Sequence, residues 1–468
     1  MKATINQNFF YHIYPLGMFG TPKKNDFTSP AGDGLLRLRE EIPHLLSLGV
    51  TAVYLGPLFE SVEHGYDTVD YFQVDRRLGT NDDLIHLVRA FHESGIAVVL
   101  DAVFNHTGRN FFAFHDVQKN GSSSTFRDWF QNVDFNKKSP AGDNFSYEGW
   151  SGHYDLVKLN TGNTSVREHL FSAIKFWIEE FRIDGIRLDA ADVLAPEFMD
   201  ALSRFCTELK SDFWLLGEVV HGDYRNWAKP GRLDSVTNYE VHKGLWSCLN
   251  DANFFELAWS LNRQSGSEGI YKNLCLYNFV DNHDVNRVAS VLKKQAHLFP
   301  LYGLLFSIPG IPSLYYGSEW GIRGEKKNGS DSELRPLLRL MTDNPLAQLP
   351  LSLQPVVEAD ALIHAIKTFA GIRKKHEALQ TGTYKEIYVA SEQFVFIRET
   401  AGQQIIIAAN SSSDSVSLSF STKGWAPENR VWYDVLAEKA EYANSWETLS
   451  FTLPPTWLRI LVRKEGCF

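Results

Sequence analysis

The feature that most constrains the fold is an alternation of short apolar segments with amphipathic helical segments over about the first 370 residues. Helical periodicity covers, for example, Leu35 to Leu48, Asp82 to Ser94, Val166 to Phe181 and Glu197 to Lys210. Eight apolar segments predict strands: Phe10 to Leu16, Thr51 to Leu55, Ala97 to Asp101, Gly185 to Asp189, Trp214 to Glu218, Ser235 to Tyr239, Leu276 to Asp281 and Pro312 to Tyr316. Strands that alternate with helices favour a parallel sheet, and eight such units predict a closed (β/α)8 TIM barrel of the α/β class.

Two regions depart from this alternation. Residues 105–159 separate the third strand from the fourth helical unit and are rich in Asn, Gly, Ser, Asp and aromatic residues, which predicts a short inserted subdomain. From residue 381 onwards, β-branched alternation predicts a C-terminal antiparallel β-sandwich domain. Its expected strands are Glu392 to Arg398, Gln404 to Ala409, Ser415 to Phe420, Val431 to Asp434 and Trp457 to Val462. The barrel is expected to comprise residues 1–104 and 160–380, followed by residues 381–468 as the second domain.

Composition excludes several classes of partner. The formal net charge is -10 and no cluster of lysine or arginine forms a basic stripe, so we expect no nucleic-acid partner. No stretch is long and apolar enough to span a membrane, and the first residues lack an apolar signal core, so a cytoplasmic protein is expected. The cysteines Cys206, Cys248, Cys275 and Cys467 have no metal-ligand spacing, which predicts free thiols.

The segment from Gly185 to Asp192 carries the strongest chemical signal. Arg187 and Asp189 lie two residues apart in an apolar strand and therefore face the same side, at the strand's C-terminal end. A guanidinium in that position favours the ionised form of the carboxylate, as a nucleophile requires. A simple ion pair at a strand end is the alternative interpretation.

Other predicted strand ends also carry polar residues. Glu218 ends the fifth strand and Asp284 follows the seventh, while the third strand runs from Asp101 into Asn105 and His106. Because the active sites of these barrels lie at the C-terminal ends of the strands, three carboxylates can converge on one bond. Retaining glycoside hydrolysis needs a carboxylate nucleophile and a carboxylic acid about 5 Å apart, around a transition state with positive charge on the sugar ring.

On these residues the chain resembles the α-amylase family of glycoside hydrolases, known as glycoside hydrolase family 13. The similarity extends over the whole chain, and the matching segments occur in the family's order and at its strand positions. These segments are Asp101 to His106, Gly185 to Asp189, Gly217-Glu218 and Phe279 to Asp284, with Gly49 to Ser61 and Gly310 to Glu319 as two further ones.

The resemblance implies a role for each matched residue. Asp189 is the expected nucleophile, Glu218 the expected acid and base, and Asp284 the carboxylate that binds sugar hydroxyls at the cleaved bond. Arg187 keeps the nucleophile ionised in this scheme. The expected sugar-binding residues are Tyr66, which stacks under the ring, His106 and His283, which bond to it, and Asp331 and Arg335, which bind the next sugar. Asp67 and Asp101 are expected to support these residues.

The resemblance bears less directly on metal binding and on the walls of the cleft. No cofactor is expected for the chemistry, but the family places a structural calcium between barrel and insertion, which here implies Asn105 with Asp155, or with Asp134 or Asp143. Two departures affect this expectation and the subfamily: Asp192-Val193 follow the nucleophile in place of the family's Lys-His pair, and Leu156 to Asn160 lacks its Pro-Asp. Loop residues that can line the cleft are Trp150, Tyr154, His221, Tyr224 and Trp227.

The expected function is hydrolysis of α-1,4-glucosidic bonds in maltooligosaccharides, maltodextrin or starch-type glucans through a covalent glycosyl-enzyme. Within the same family, an exo-acting maltodextrin glucosidase, an α-1,6-glucosidase and a transglycosylase also fit the motifs, because loop geometry decides between them. A non-catalytic sugar-binding relative is disfavoured, since all three carboxylates are present. The expected partner is an α-glucan oligosaccharide, and the sequence leaves the oligomeric state open.

Overall fold

The computed structural model describes residues 2–342, 344–426, 430–437 and 440–463. Its centre is an eight-stranded parallel sheet, which confirms the predicted barrel. Barrel strands 1 to 8 are Phe10–Ile13, Ala52–Leu55, Ala97–Ala102, Gly185–Leu188, Trp214–Gly217, Ser235–Val236, Tyr277–Asn278 and Ile311–Tyr315. Neighbours in the chain are neighbours in the sheet, and a parallel bridge between Thr237 and Tyr277 closes it between strands 6 and 7.

Several strands end earlier than the sequence predicts, and this places functional residues just beyond the strand ends. Strand 1 stops at Ile13, because Pro15 begins a short helix, Pro15–Met18. Strand 6 stops at Val236, and Asn238 caps a helix that starts at Tyr239 by accepting the Val241 N–H. The predicted extension of strand 6 to Tyr239 is therefore wrong.

Helices surround the barrel in the expected positions, with two corrections. The segment predicted as one helix from Leu35 to Leu48 is two helices that turn at Glu41, with Pro43 in the first turn of the second. The helix predicted to end at Phe181 finishes as a π-helical turn, Trp177–Phe181. The α-helices around the barrel are Gly34–Glu40, Ile42–Leu48, Asn81–Glu93, Thr164–Phe176, Pro196–Leu209, Tyr239–Asn250, Phe254–Ser265, Val288–Val291, Leu298–Ser307, Ala359–Lys375 and Glu377–Thr381.

The region after strand 3 forms a small subdomain beside the barrel mouth. It contains the helix Phe112–Asn120 and a three-stranded antiparallel sheet of His106–Gly108, His153–Lys158 and Gly149–Trp150. A second excursion, the hairpin of Phe59–Ser61 and Thr68–Val74, follows strand 2. Both excursions lie on the side of the barrel where the strands end, so they can form walls of a cleft.

The C-terminal region is antiparallel, as predicted. One sheet contains Thr383–Val389, Gln393–Glu399, Gln404–Asn410, Trp457–Arg463, Val431–Asp434 and Glu441–Ala443, and the second contains Val416–Ser421 and Thr448–Leu453. An apolar core that includes Ile406, Trp432 and Phe451 lies between the two sheets, which confirms the sandwich. The strands at Thr383, Glu441 and Thr448 were not predicted from the sequence. The predicted boundaries at 104/105, 159/160 and 380/381 stay predictions.

The remaining expectations concern cysteines and membranes. Cys206, Cys248 and Cys275 are free thiols, and Cys467 lies outside the described residues. Within the part of the chain that the structure describes, no helix has both the length and the apolar character needed to cross a bilayer.

Candidate active site

One buried guanidinium organises the centre of the barrel mouth. Arg187, on strand 4, donates through Nη1 to Asp101 Oδ1 at 2.8 Å and to Asp189 Oδ1 at 2.9 Å. Its Nη2 lies 2.8 Å from Glu218 Oε2. Three carboxylates from strands 3, 4 and 5 therefore share one cation, in a setting where the Arg187 side chain is only 4% exposed. A buried charge of this kind needs such pairing to be tolerated.

The backbone after strand 4 adds a further contact to Glu218. Ala190 has a left-handed conformation, with φ of 47°, although it is not a glycine. This turn directs the Ala190 N–H to Glu218 Oε2 at 3.1 Å, just after Asp189. Strained backbone of this type persists where the surrounding structure fixes it, and it is concentrated at functional sites. The strain here fixes the position of Glu218 relative to Asp189.

The electrostatics of Asp189 differ from the simple sequence expectation. Burial raises the pKa of Asp189, and the negative charges of Glu218, Asp101 and Asp284 raise it further. Arg187 lowers the pKa as predicted, but it is shared among three carboxylates and does not outweigh the other effects. The expectation that Arg187 keeps Asp189 ionised stays a prediction, and burial and the neighbouring carboxylates oppose it.

Asp284 has the opposite balance. Its Oδ2 lies 2.9 Å from His283 Nε2, and its Oδ1 accepts from Arg335 Nη2 at 3.0 Å. Burial on its own raises the pKa of Asp284, but His283 and Arg335 lower it to well below the ordinary range. Its side chain is 37% exposed towards the cleft. Asp284 is therefore an ionised carboxylate with free surface for sugar hydroxyls.

Tyr66 and His283 form an aromatic pair beside this carboxylate. Their rings stack with centroids 5.5 Å apart and an interplanar angle of 9°. The Tyr66 hydroxyl donates to Asp101 Oδ2 at 2.9 Å and also contacts His283 Nε2. The structure thus places Tyr66 and Asp101 in one network with Arg187, and stacking of Tyr66 under a sugar ring stays a prediction. Asp67 instead accepts the backbone N–H groups of Glu63 and His64, so it supports the loop that carries Tyr66.

His106 is prepared to bond a ligand. It is 1% exposed, its Nδ1 lies 3.1 Å from the Asn105 amide nitrogen, and its Nε2 is buried without a partner. Burial lowers the pKa of His106 to about 3, so the ring is neutral at neutral pH. His283 Nδ1 is likewise buried and unpartnered. An unsatisfied buried nitrogen is costly, and a sugar hydroxyl would satisfy it.

Asp331 and Arg335 reach the site although they follow strand 8 by many residues. Arg335 Nη2 bonds Asp331 Oδ2 at 3.0 Å as well as Asp284, and its Nε donates to the His283 carbonyl. The guanidinium lies 4.6 Å from the ring centre of Tyr14. Together these residues border a groove of about 550 Å³ that continues past His64 and Leu337. The groove can accept a ligand that extends away from Asp284.

The predicted cleft-lining residues divide into two groups. Trp150 stacks on His106, with centroids 6.1 Å apart, and His221 borders an outer groove. Tyr224 is buried and stacks on Tyr271, and the Tyr154 ring packs edge-on against Tyr147 inside the insertion. Trp227 packs over Gly222, where an added Cβ would approach its ring to 2.9 Å. Tyr224 also borders the outer groove beside His221, while Tyr154 and Trp227 show packing contacts, so the place of these three residues in the cleft wall stays a prediction.

The donor set implied for calcium does not assemble. Among the described residues, no group of three or more His, Cys, Asp or Glu side chains could hold a metal ion. The Leu159 N–H bonds to the Asn105 carbonyl, so Asp155 lies four residues along the strand, roughly 13 Å away at 3.3 Å per residue. Asp143 is bonded to Arg109, and Asp134 to Lys137. The residues present do not fit the implied ion.

Four aromatic or amide side chains in the site were not predicted from the sequence. The Tyr54 hydroxyl donates to Asp101 Oδ2 at 2.7 Å, and Tyr14 stacks on His283. The Tyr239 hydroxyl donates to Glu218 Oε1 at 3.4 Å, and Asn282 donates to the same hydroxyl. All four lie in or just after barrel strands. Tyr14 lies near the predicted end of strand 1 and Tyr239 at that of strand 6, so a search of strand ends for tyrosine as well as for charged and amide residues identifies both.

Comparisons with known proteins agree with this geometry. Residues 21–342 match the model of the α-amylase catalytic domain, and residues 385–460 match the maltogenic amylase C-terminal domain. The chain therefore belongs to the α-amylase family of glycoside hydrolases.

The chain is similar to several characterised members of that family. A cyclomaltodextrinase of Geobacillus thermopakistaniensis is 31% identical over 439 residues, which cover 92% of this chain and 70% of the relative. The intracellular maltogenic amylase of Bacillus subtilis is 28% identical over 392 residues, or 82% of this chain and 62% of that protein. Among solved structures, a debranching enzyme from Nostoc punctiforme has a TM-score of 0.81 at 26% identity, with 98% of each chain covered.

Proposed function

We propose that this glycoside hydrolase cleaves α-1,4-glucosidic bonds of maltooligosaccharides and related glucans with retention of configuration. The observation that carries the proposal is the bonding of Asp189 and Glu218 to one guanidinium, beside an ionised Asp284 that is open to the cleft. Two carboxyl groups held together in this way supply the nucleophile and the acid that a double displacement requires. The likeness to a cyclomaltodextrinase and a maltogenic amylase supports the choice of an α-glucan substrate.

In the first step, the Asp189 carboxylate attacks the anomeric carbon while Glu218 donates its proton to the glycosidic oxygen. The new Asp189–carbon ester bond replaces the broken carbon–oxygen bond, and the leaving glucan departs as an alcohol. In the second step, water gives a proton to Glu218 and its oxygen attacks the same carbon, which releases Asp189 as a carboxylate. Asp284 stabilises the positive charge on the ring during both steps.

The proton arrangement of the empty site is consistent with this sequence of steps. Asp189 and Glu218 contact the same cation, and burial among carboxylates raises the pKa of Asp189, which favours a proton on Asp189. The reaction needs that proton on Glu218. When a sugar ring displaces water and bonds Asp284, the glycosidic oxygen provides Glu218 with an acceptor for its proton.

Paired substitutions test the two roles. Glu218→Gln is expected to lower kcat/KM on maltoheptaose by about 10²- to 10⁴-fold, but to lower turnover of α-maltosyl fluoride much less, because fluoride leaves without a proton. Asp189→Asn is expected to abolish turnover of both substrates, by more than about 10³-fold. Equal losses in the two variants on both substrates would contradict the assignment of acid and nucleophile.

An α-1,6-cleaving activity is the second candidate, since the chain is also similar to a debranching enzyme. Product analysis separates it from endo-acting, exo-acting and transglycosylating activities. Early release of maltose, maltotriose and longer products from maltoheptaose indicates endo-acting α-1,4 hydrolysis, and glucose or maltose alone indicates exo action. Cleavage of panose only at its α-1,6 bond supports a debranching activity, and products longer than the substrate indicate transfer. We also propose a cytoplasmic location, on the likeness to an intracellular maltogenic amylase.

A further inference from the structure

A second groove, of about 520 Å³, leaves the barrel mouth on the side of Glu218. It lies between the loop after strand 5 and the helices Tyr239–Asn250 and Phe254–Ser265. Its lining includes Tyr239, Lys243, Trp246, Glu256 and Trp259. None of the three outer residues, Trp246, Glu256 and Trp259, takes part in the reaction described above, so the groove needs a separate explanation.

Trp259 presents an exposed aromatic surface in this groove. It is 63% exposed, so a large apolar surface of the indole is open to solvent. The Arg263 guanidinium lies 5.8 Å from the Trp259 ring centre and 5.5 Å from that of Tyr271, and Arg263 bonds Glu240 at 2.7 Å. The contacts with Glu240 and Tyr271 fix Arg263, which in turn lies against one face of the Trp259 indole and leaves the other surface open for stacking.

Polar groups accompany the two tryptophans. Lys243 and Glu256 form an ion pair between the helices Tyr239–Asn250 and Phe254–Ser265. The Ser247 hydroxyl donates to Glu256 Oε2 at 2.9 Å. Trp246 is half-buried on the same helix as Lys243. A mixture of flat aromatic faces with charged donors and acceptors matches a pyranose ring, which has apolar C–H faces and hydroxyl edges. A purely apolar partner would leave the ion pair desolvated.

Tyr239 connects this groove to the catalytic centre. It lines both the outer groove and the inner cavity beside Arg187, and its hydroxyl bonds Glu218 Oε1. Because Glu218 is the residue that protonates the leaving group, a chain that enters the groove past Tyr239 belongs to the leaving part of the substrate. We infer that the groove lined by Trp246 and Trp259 binds the remote leaving-group end of a long α-glucan chain. This inference rests on the proposed function.

Chain-length dependence tests the inference. Trp259→Ala is expected to raise KM for maltoheptaose about three- to tenfold, the value of one aromatic stacking contact, with kcat unchanged. KM for maltotriose is expected to change much less, because a shorter chain extends less far along the groove from Glu218. Trp259→Phe should restore part of the affinity. Trp446→Ala is the matched control, because Trp446 is 79% exposed on the C-terminal domain, away from the groove.

Several results would overturn the inference while the proposed function stands. These are an unchanged KM for maltoheptaose, an equal change for both sugars, or conversion of a dimer to a monomer in sedimentation without a change in KM, which would make a second copy the occupant. If the wild-type protein cleaves no maltooligosaccharide, the proposed function fails. The groove is then tested through maltoheptaose binding to Asp189→Asn, with and without Trp259→Ala: equal affinities overturn the inference, and weaker binding to the double variant supports it.

Discussion

At the residue scale, the charge balance around Asp189 sets the pH range in which the enzyme can start its reaction. Burial and the neighbouring carboxylates raise the pKa of Asp189, and in the proposed mechanism the attacking form is the carboxylate. We therefore expect kcat/KM to fall on the acid side at a pH above the ordinary aspartate value of about 3.9. The measurement is kcat/KM for maltotriose from pH 3 to 8, corrected for unfolding.

Asp101→Asn tests whether the neighbouring carboxylates cause the raised pKa of Asp189. Asp101 raises the pKa of Asp189 through its charge, and it also competes for Arg187 Nη1. With the neutral asparagine at position 101, the fall of kcat/KM on the acid side is expected to occur at a lower pH, and the maximal rate is expected to decrease. Asp184→Asn is the control, because Asp184 precedes strand 4 at the opposite end of the barrel. An acid limb that moves in both variants, or in neither, would argue against the carboxylate cluster as its cause.

Much of the site was predictable because its charged residues follow directly from strand ends. Arg187, Asp189 and Glu218 each lie within one residue of a strand end, and the structure brings these three together. Asp284 lies six residues beyond strand 7, and the resemblance to the family rather than the strand end identifies it. The sharing of Arg187 among three carboxylates was not predictable, since it depends on the distances between strands 3, 4 and 5. Tyr54 and Tyr239 were overlooked because a tyrosine in an apolar strand has the same pattern as a core residue.

At the element scale, Asp184 connects four secondary-structure elements beneath the barrel. It accepts from the Val98 N–H, from His92 and from Lys210, so it joins strands 3 and 4 to two helices. Burial opposes its charge, but these hydrogen bonds lower the pKa of Asp184 from 3.8 to about 2. The stabilisation is therefore present above pH 4 and is lost as the pH falls towards 2.

Asp184→Asn is expected to lower the free energy of unfolding by about 2 kcal/mol at pH 7, which corresponds to the change in pKa. The difference from wild type should shrink steadily between pH 4 and pH 2. Urea unfolding followed by circular dichroism at a series of pH values measures it. A difference that stays constant over this range would show that the hydrogen bonds act without the charge.

The inserted subdomain has an internal ion pair where the family resemblance implied calcium. Arg109 bonds both carboxylate oxygens of Asp143 at 2.7 and 2.8 Å and lies 5.6 Å from the Phe114 ring centre. We propose that this guanidinium is the cation that holds the subdomain together. If this ion pair stabilises the subdomain in place of a metal ion, chelation with EDTA is expected to shift Tm by less than about 1 °C.

Arg109→Met provides the complementary measurement for the subdomain. Loss of the guanidinium leaves Asp143, whose side chain is 9% exposed, without its main partner and is expected to cost about 2–3 kcal/mol. Added calcium should not restore the stability of this variant. A fall in Tm of the wild-type protein with EDTA, or recovery of the variant with calcium, would instead support a metal in this part of the fold.

The sequence predicts a helix correctly where its apolar residues have helical periodicity and a capping residue marks its start. The helix Asn81–Glu93 begins with a capping box at Thr80 and ends within one residue of its predicted limit. The break at Glu41 was missed, because the apolar period continues across it and the proline stands in the first turn of the next helix, where proline is tolerated. The insertion was identified only as irregular, since its sheet depends on pairing between residues 106 and 158.

At the scale of the whole molecule, the barrel and the C-terminal sheet share one apolar core. Leu458, Ile407 and Ile460 belong to the same buried cluster as the barrel residues Leu301 and Leu304. Leu458 packs so closely on the helix Leu298–Ser307 that a Cβ at Gly303 would lie 2.5 Å from its Cδ1. Two domains joined by a core of this kind are expected to unfold together.

Leu458→Ala tests this coupling. The cavity between the C-terminal sheet and the barrel is expected to cost about 2–5 kcal/mol, and the variant should lose enzymatic activity and far-ultraviolet dichroism at the same, lower temperature. Leu449→Ala is the control, because Leu449 is equally buried but lies in the core between the two C-terminal sheets. If Leu458→Ala keeps its activity at temperatures above a first loss of far-ultraviolet dichroism, the barrel does not depend on the C-terminal sheet. If both signals fall together, the interface stabilises the catalytic barrel, and the shared core explains why.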